Sequence, residues 1–248
     1  MKSHFKIPIS DNTLLATFLD RPNRFLVRLV PDDSDRVEEA FLHDPGRLLE
    51  LLEPGVELLI RRPVPVKGRK AERKTNWDVL AVRQNGNWII INSSFPNRIA
   101  RIAIVNGWLP ELAGYTTVKS EYPFGHSRLD FLLSREKHPS CLVEVKGVTL
   151  AKGEKALFPD APTARGARHL EELIRSVQEG YRAVVLFLVM RDEPVTFSPN
   201  ADIDPLFTRR LISAAKCGVE ILVYKVQPVL EDHLLSVYLR NPLVTGFS

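Results

Sequence analysis

Cysteine is nearly absent from this chain. Of 248 residues only Cys141 and Cys217 are cysteines. Neither belongs to a CxxC pair or to a Cys/His cluster with metal spacing, so a disulfide framework and a zinc finger are both excluded. The pair reads as two reduced, buried thiols, which fits a cytoplasmic setting. Long hydrophobic runs are also missing. The longest, residues 183–190, is far too short to span a bilayer. Residues 1–10 hold no apolar stretch of the signal-peptide kind, so no membrane partner is expected. Nor is there an excess of one charge. Lys and Arg number 34 against 30 Asp and Glu, for a net charge of +4. That mild basicity permits nucleic-acid binding without demanding it. Internal repeats, low-complexity segments and a helix-turn-helix signature are all lacking, which removes one common route to base-specific readout. What remains is 44% hydrophobic and 26% charged, the composition of an ordinary globular protein. The length suits one core or two smaller ones.

The first third reads as short strands at 24–30, 37–42, 56–61, 76–82 and 87–92, with a brief helix at 46–52. Asn85-Gly86 between the last two strands is a hairpin signal. Five short strands and one small helix suit a small closed barrel, and an oligonucleotide-binding (OB) barrel has that count. Composition changes after Asn92, which divides the chain into 1–92 and 93–248. The second part reads as a helix over 97–112 and strands at 116–121, 128–133 and 141–150. An amphipathic helix over 163–179, stopped by Gly180, comes next. Then follow an almost wholly apolar strand at 181–190, a helix opened by Asp204-Pro205, and a strand at 219–226. The tail from Gln227 is open between a short helix and an edge segment. The fold class is therefore α/β (α+β): a small barrel, then a mixed sheet flanked by helices.

Residues 61–74 interrupt the barrel pattern. They hold Arg61, Arg62, Lys67, Arg69, Lys70, Arg73 and Lys74 against the single acid Glu72. Pro63 and Pro65 argue for an extended loop. Such a loop is either a solvated surface or a basic arm that grips phosphates. Its place between barrel strands, where OB barrels often bind, favours the arm.

The strongest chemical signal lies further on. Asp130 interrupts the apolar strand at 128–133, and the next strand carries Glu144-Val145-Lys146. Alternation puts Leu142, Glu144, Lys146 and Val148 on one face. Charges in strands this apolar need partners or a metal. A sheet-end ion pair is the structural alternative. As a site, Asp130 and Glu144 hold a hard cation such as Mg²⁺ or Mn²⁺, with the Val145 carbonyl as a third oxygen. The cation activates water and a phosphoryl oxygen. Lys146 orients the nucleophile or stabilises transition-state charge. On the helix after it, Arg165, His169, Glu172 and Ser176 form a polar stripe opposite Ala167, Leu170, Ile174 and Val177. Arg165 and His169 sit one turn apart at the helix start, where the dipole favours a phosphate.

These residues carry a resemblance. The runs Ser127-Arg128-Leu129-Asp130-Phe131, Glu144-Val145-Lys146-Gly147-Val148, Phe158-Pro159-Asp160 and Arg165-Gly166 with His169 resemble the sugar fermentation stimulation protein A family. Asn23-Arg24-Phe25, Gly46-Arg47-Leu48, Asn97-Arg98 and Gly218-Val219-Glu220 extend the likeness over nearly the whole chain. The resemblance implies an N-terminal OB-like barrel and a C-terminal domain of the PD-(D/E)xK nuclease type, with the signature on Asp130, Glu144 and Lys146. It implies DNA as partner, single- or double-stranded, and a role in regulating sugar (maltose) utilisation. It leaves open whether the site cleaves DNA or the chain is a regulator that only binds it. A homo-oligomer is compatible with either reading. RNA or a nucleotide-like ligand, stacked on Trp77, Trp88 or Phe41, is a weaker expectation.

Overall fold

The computed structural model describes residues 5–63 and 74–245. The chain divides into two compact units. One comprises Met1–Phe95, Met190–Asp192 and Val226–Leu239; the other comprises Pro96–Val189, Glu193–Lys225 and Arg240–Ser248.

The first unit contains β1 (Phe5–Ser10), β2 (Thr13–Asn23), β3 (Leu26–Pro31), β4 (Glu38–Leu42), β5 (Glu57–Arg61), β6 (Trp77–Gln84) and β7 (Asn87–Ile90). β2 pairs antiparallel with β3 and β5, β3 with β4, and β5 with β6. A parallel pairing of β4 with β6 closes the ring. This is the OB connection pattern. Inward residues such as Val27, Leu29, Ala40, Leu42, Leu58, Ile60 and Val79 are fully buried and form one apolar cluster. β2 slips register between Phe18 and Asp20, a bulge of the kind that lets a long strand bend around a barrel. The Asn85-Gly86 turn joins β6 to β7 with φ of 50° and 80°, as a two-residue hairpin turn requires.

Two details differ from the sequence reading. β2 is a barrel strand that its sequence did not announce, and β7 pairs only with β6, outside the ring. Residues 46–52 are turns, not a helix. Leu48 sits at φ 50°, a conformation no helix interior accepts, because Leu48 and Leu51 both turn into the barrel core.

The second unit contains α1 (Phe95–Val105), a 3₁₀ turn at Pro110–Leu112, β8 (Thr117–Phe124), β9 (Ser127–Ser134), β10 (Cys141–Val148), β11 (Ala151–Lys152), β12 (Lys155–Phe158), α2 (Ala164–Gln178), β13 (Arg182–Val189), β14 (Thr196–Pro199) and α3 (Pro205–Lys216). β15 (Glu220–Glu231), β16 (Leu234–Pro242) and β17 (Val244–Thr245) complete the chain. β8, β9 and β10 are antiparallel, and β13 lies parallel to β10 with Glu144 opposite Val185. β15 lies parallel to β13. The crossover from β10 to β13 runs through α2, as a parallel pair needs. The order is helix, three antiparallel strands, helix, parallel strand. The core joins Leu142, Val185 and Phe187 of the sheet to Leu170 and Leu173 of α2 and Phe207 of α3. Thr163 caps α2 by accepting the Gly166 N–H (3.0 Å), and Asp204 caps α3 by accepting the Phe207 N–H (2.9 Å). The other Asp204 oxygen accepts the Thr163 N–H (2.8 Å), so the two helix starts are tied together.

The tail from Gln227 is strand, not helix. Asp232 and His233 turn the chain at φ 46° and 64°, and β16 returns to pair with β1, Phe5 against Leu239. Cys141 is buried as expected, but Cys217 is exposed, because it caps the solvent end of α3. Among the described residues no helix is long and apolar enough to cross a membrane.

Candidate functional site

The site forms where two strands part. β9 and β10 pair through Leu133–Cys141, Leu132–Leu142 and Phe131–Val143, and the ladder then ends. Asp130 and Glu144 stand at the next step, so their side chains share a face. The Asp130 carboxylate takes the place of a ladder partner: its Oδ2 accepts the Val145 N–H at 2.8 Å. Its Oδ1 accepts from the side-chain amide of Asn97, on α1, at 2.6 Å.

Glu144 is 3% exposed. Its Oε1 accepts from Lys146 Nζ at 2.5 Å and from His169 Nδ1 of α2. Arg165 Nε lies 3.4 Å from His169 Nε2 and donates to it. With Nε2 accepting, Nδ1 is the ring nitrogen that donates to Glu144. One line of hydrogen bonds therefore runs from the exposed Arg165 through a buried His169 to Glu144 and Lys146. Glu144 Oε2 is buried and has no hydrogen-bond partner among the described residues.

Electrostatics separate the two acids. Burial, and then the charge of Glu144, raise the Asp130 carboxyl above its ordinary value. Burial works the same way on Glu144, but Lys146 and His169 outweigh it and hold that carboxyl below its ordinary value. The carboxylate pair thus repels itself, and Lys146 bonds directly to Glu144 while reaching Asp130 only through its charge. That is an arrangement a further cation would relieve. No three His, Cys, Asp or Glu side chains among the described residues converge as a metal cage. The oxygen pair suits a hard cation that keeps several waters, as Mg²⁺ does.

Asp130, Glu144, Lys146, His169 and Arg165 are thus brought together. Val145 enters through its N–H. The polar stripe of α2 is not a solvated face: His169, Glu172 and Ser176 are all buried. Each has a partner. Glu172 accepts the His126 N–H (2.9 Å) and meets Arg175 (3.0 Å), and Ser176 donates to the Leu173 carbonyl (2.8 Å). α2 packs on the sheet and on α3, so more than one of its faces is inside. Asn97 was missed as a site residue. Its only sequence signal was the Asn97-Arg98 pair in the family resemblance.

The basic loop is placed only at its ends; Lys67, Arg69, Lys70 and Arg73 lie outside the described residues. Arg61 lies in β5, half-buried, 3.8 Å from Asp78 and 3.3 Å from Ser10 Oγ. Arg62 is exposed and covers the Trp77 ring at 3.7 Å. Lys74 is exposed. Trp77 is a core ring whose N–H donates to Glu38 (2.7 Å). Trp88 is half-buried with Arg83 above it. Phe41 is half-exposed.

An OB-type barrel and a mixed sheet flanked by helices, with a carboxylate pair where two of the sheet's strands part, define a mixed α/β protein of two compact units. The chain belongs to the sugar fermentation stimulation protein family. Residues 19–91 match the family's "SfsA N-terminal OB domain" and residues 94–232 its "Sugar fermentation stimulation protein RE domain". A sugar fermentation stimulation protein homolog of Moorella thermoacetica is 46% identical over 94% of this chain and 99% of its own. A homolog of Methanothermobacter thermautotrophicus is 42% identical over 94% of each. The solved structure of Pyrococcus furiosus SfsA in complex with Ca²⁺ is similar with a TM-score of 0.85 and 30% identity, over 97% of this chain and 98% of that one.

Proposed function

We propose that this protein is a divalent-metal-dependent DNA nuclease acting through Asp130, Glu144 and Lys146. The observation that carries the reading is Glu144 Oε2, a buried carboxylate oxygen without a hydrogen-bond partner among the described residues. Such an acceptor costs about 1–3 kcal/mol, and more when charged. Glu144 Oε2, Asp130 and the Val145 carbonyl would be the oxygens to hold a divalent cation, which would relieve that cost. The all-oxygen donor set suits Mg²⁺ or Mn²⁺, and the Ca²⁺ of the Pyrococcus furiosus relative is a hard cation of the same kind.

When bound, the ion polarises a phosphoryl oxygen and lowers the pKa of water. The chain's own groups supply the rest. Asn97 and the Val145 N–H fix the Asp130 carboxylate in one orientation. His169 and Lys146 both engage Glu144 Oε1, which leaves Oε2 as the ligand atom. The Lys146 ammonium sets positive charge where the phosphorane-like transition state gathers negative charge. Arg165, exposed at the N-terminal turn of α2, adds to the attraction of that end for a phosphate. Arg62 and Lys74, with Lys67, Arg69, Lys70 and Arg73 of the same loop, grip the DNA backbone; Arg61 anchors the loop's start. Two unpaired cysteines fit a reducing, cytoplasmic setting.

One observation favours the second reading, a DNA-binding regulator of sugar (maltose) genes without turnover. Lys146 and His169 already engage Glu144, a cluster whose charge is partly neutralised without a cation. Two measurements decide. Plasmid DNA is incubated with Mg²⁺ or Mn²⁺ and with wild type or Glu144→Gln, and Mn²⁺ binding is followed separately by electron paramagnetic resonance. The nuclease reading expects cleavage and Mn²⁺ binding from wild type and neither from the variant. Equal cleavage by both proteins, or none by wild type in either metal, sinks it.

A further inference from the structure

The outer face of the barrel carries a cluster that the metal centre does not use. Along β4, Ala40 and Leu42 are buried in the core, while Phe41 is half-exposed and His43, just past the strand, is exposed. Phe25, directly before β3, is 47% exposed. The β3–β4 register sets Leu26 against Phe41, which brings the Phe25 and Phe41 rings side by side. Their centroids are 6.1 Å apart and their planes only 20° from parallel. His43 meets Phe41 edge-on at 5.8 Å, with its Nδ1 on Ser93 Oγ at 3.0 Å.

A single exposed ring is unremarkable in itself, but this one is held in place. Asn23 Oδ1 accepts the N–H groups of Phe25 (2.9 Å) and Leu26 (3.1 Å), and the Leu42 N–H donates to the Phe25 carbonyl (3.0 Å). The Arg21 guanidinium donates to the carbonyls of Arg24, Asp44, Gly46 and Arg47 at 2.6–2.9 Å. It thereby ties the turn before β3 to the turn after β4. This bonding fixes the backbone that carries Phe25, and the Phe41 ring lies against the Phe25 ring, outside the barrel's buried cluster. A ring on a fixed backbone loses less entropy when a ligand covers it.

The surrounding charge indicates which ligand. Arg24 and Arg47 are exposed, one on each of the two turns that Arg21 joins. Of the acids on this face, Asp20 takes Arg28 in a bidentate pair and Asp44 accepts the Gly46 N–H (2.7 Å), while Glu39 is exposed on β4 opposite Arg28. Two near-parallel rings with a cationic rim match a base flanked by phosphates. A duplex keeps its base faces stacked inside, whereas a single strand exposes them. Strands β3 and β4 are also the second and third of the barrel, the face OB barrels use for oligonucleotides. We infer that Phe25 and Phe41 form a stacking platform for an unpaired base of single-stranded DNA, with Arg24 and Arg47 on the adjoining phosphates. The inference rests on DNA as the partner proposed above, and not on cleavage.

The test is binding without metal. Full-length protein in EDTA is titrated into a fluorescently labelled oligothymidine of about ten nucleotides, within the span one OB barrel covers. Phe25→Ala weakens binding roughly five- to a hundredfold, the worth of one base–aromatic stack. Phe25→Trp keeps the affinity, and its indole fluorescence is quenched by the strand. Affinity for a duplex of the same sequence stays within about twofold in both variants. Unchanged single-strand binding by Phe25→Ala overturns the platform, and so does an equal loss on duplex. Tighter binding to the matching RNA, lost in Phe25→Ala, overturns the assignment to DNA. Cleavage assays on the same proteins keep the two proposals apart. Phe25-dependent binding without cleavage leaves the platform standing and removes the nuclease. Cleavage with Phe25-independent binding does the reverse.

Discussion

The two units of this protein use polarity in different ways. The barrel keeps its cluster apolar, from Val27 and Leu29 to Leu58 and Ile60; its buried Asp78 stands 3.8 Å from Arg61, and pairs such as Arg28 with Asp20 lie outside. The sheet unit gathers buried polar groups around one carboxylate: Glu144 is bonded to the buried His169 and to Lys146. Buried ions cost several kcal/mol each unless paired, so a fold has no use for them as mere packing. On the reading proposed above, the barrel is a fold with an exposed recognition face, and the sheet surrounds a site whose chemistry gains from a low dielectric.

The largest expected effect tests that contrast at its centre. In Lys146→Met the cation beside Glu144 is lost, and only His169 still engages the carboxylate. Cleavage should fall by about 10² or more, the size seen when a single electrostatic stabiliser is removed. Stability should fall as well, since breaking a buried pair typically costs about 3–5 kcal/mol. Discounted for the residual exposure of Lys146, at 14% of its side chain, a loss at or below the low end is expected. Plasmid cleavage and urea unfolding measure the two effects. A variant that unfolds earlier yet cleaves normally would make Lys146 a structural partner only, and would blur the difference between the units.

The next effect belongs to the barrel. Leu29 is fully buried in its cluster. Leu29→Ala should cost about 2–5 kcal/mol through lost transfer energy and a cavity. Cleavage per folded molecule should be unchanged, because Leu29 packs in the barrel cluster and the site residues belong to the other unit. Urea unfolding gives the first quantity, and a cleavage assay in excess Mn²⁺ gives the second. If cleavage collapses while the protein stays folded, the units are not separable in function and the contrast drawn above is wrong.

The sequence showed the site more clearly than the fold around it. Asp130 and Glu144-x-Lys146 were legible because alternation along a strand is local, and charge in an apolar run is conspicuous. Asn97 was not, because it reaches Asp130 across 33 residues and an asparagine near a helix start looks like any cap. The burial of the α2 stripe was not legible for a different reason. Helical period shows which residues share a face, but not that a helix is covered on more than one side. The partners of His169 and Glu172 lie on other elements of the fold. In the barrel, the strand count was right and one member was wrong. β2 carries Pro22 and a register slip, both of which read as breaks. β1 finds its partner only at the far end of the chain, Phe5 against Leu239, a pairing no local pattern can reveal.

The smallest effect lies on the barrel's outer face, where charge should matter least. Arg28 holds the Asp20 carboxyl below its ordinary value through a direct hydrogen bond, with Arg28 Nε at 2.8 Å from Oδ1. A carboxyl depressed in the folded state adds stability above its unfolded pKa and loses it as pH falls through the folded one. Wild type should therefore be slightly more stable than Asp20→Asn near neutrality. The gap should close on acidification below the usual carboxylate range. Both side chains are about half exposed, so water and salt screen the pair, and added NaCl should shrink the gap at every pH. Melting temperatures of the two proteins across pH and salt measure it. A gap as large as that of Lys146→Met, or one that survives molar salt, would mean that exterior charge on the barrel counts as much as interior charge in the sheet. The different use of polarity in the two units would then lose its energetic meaning.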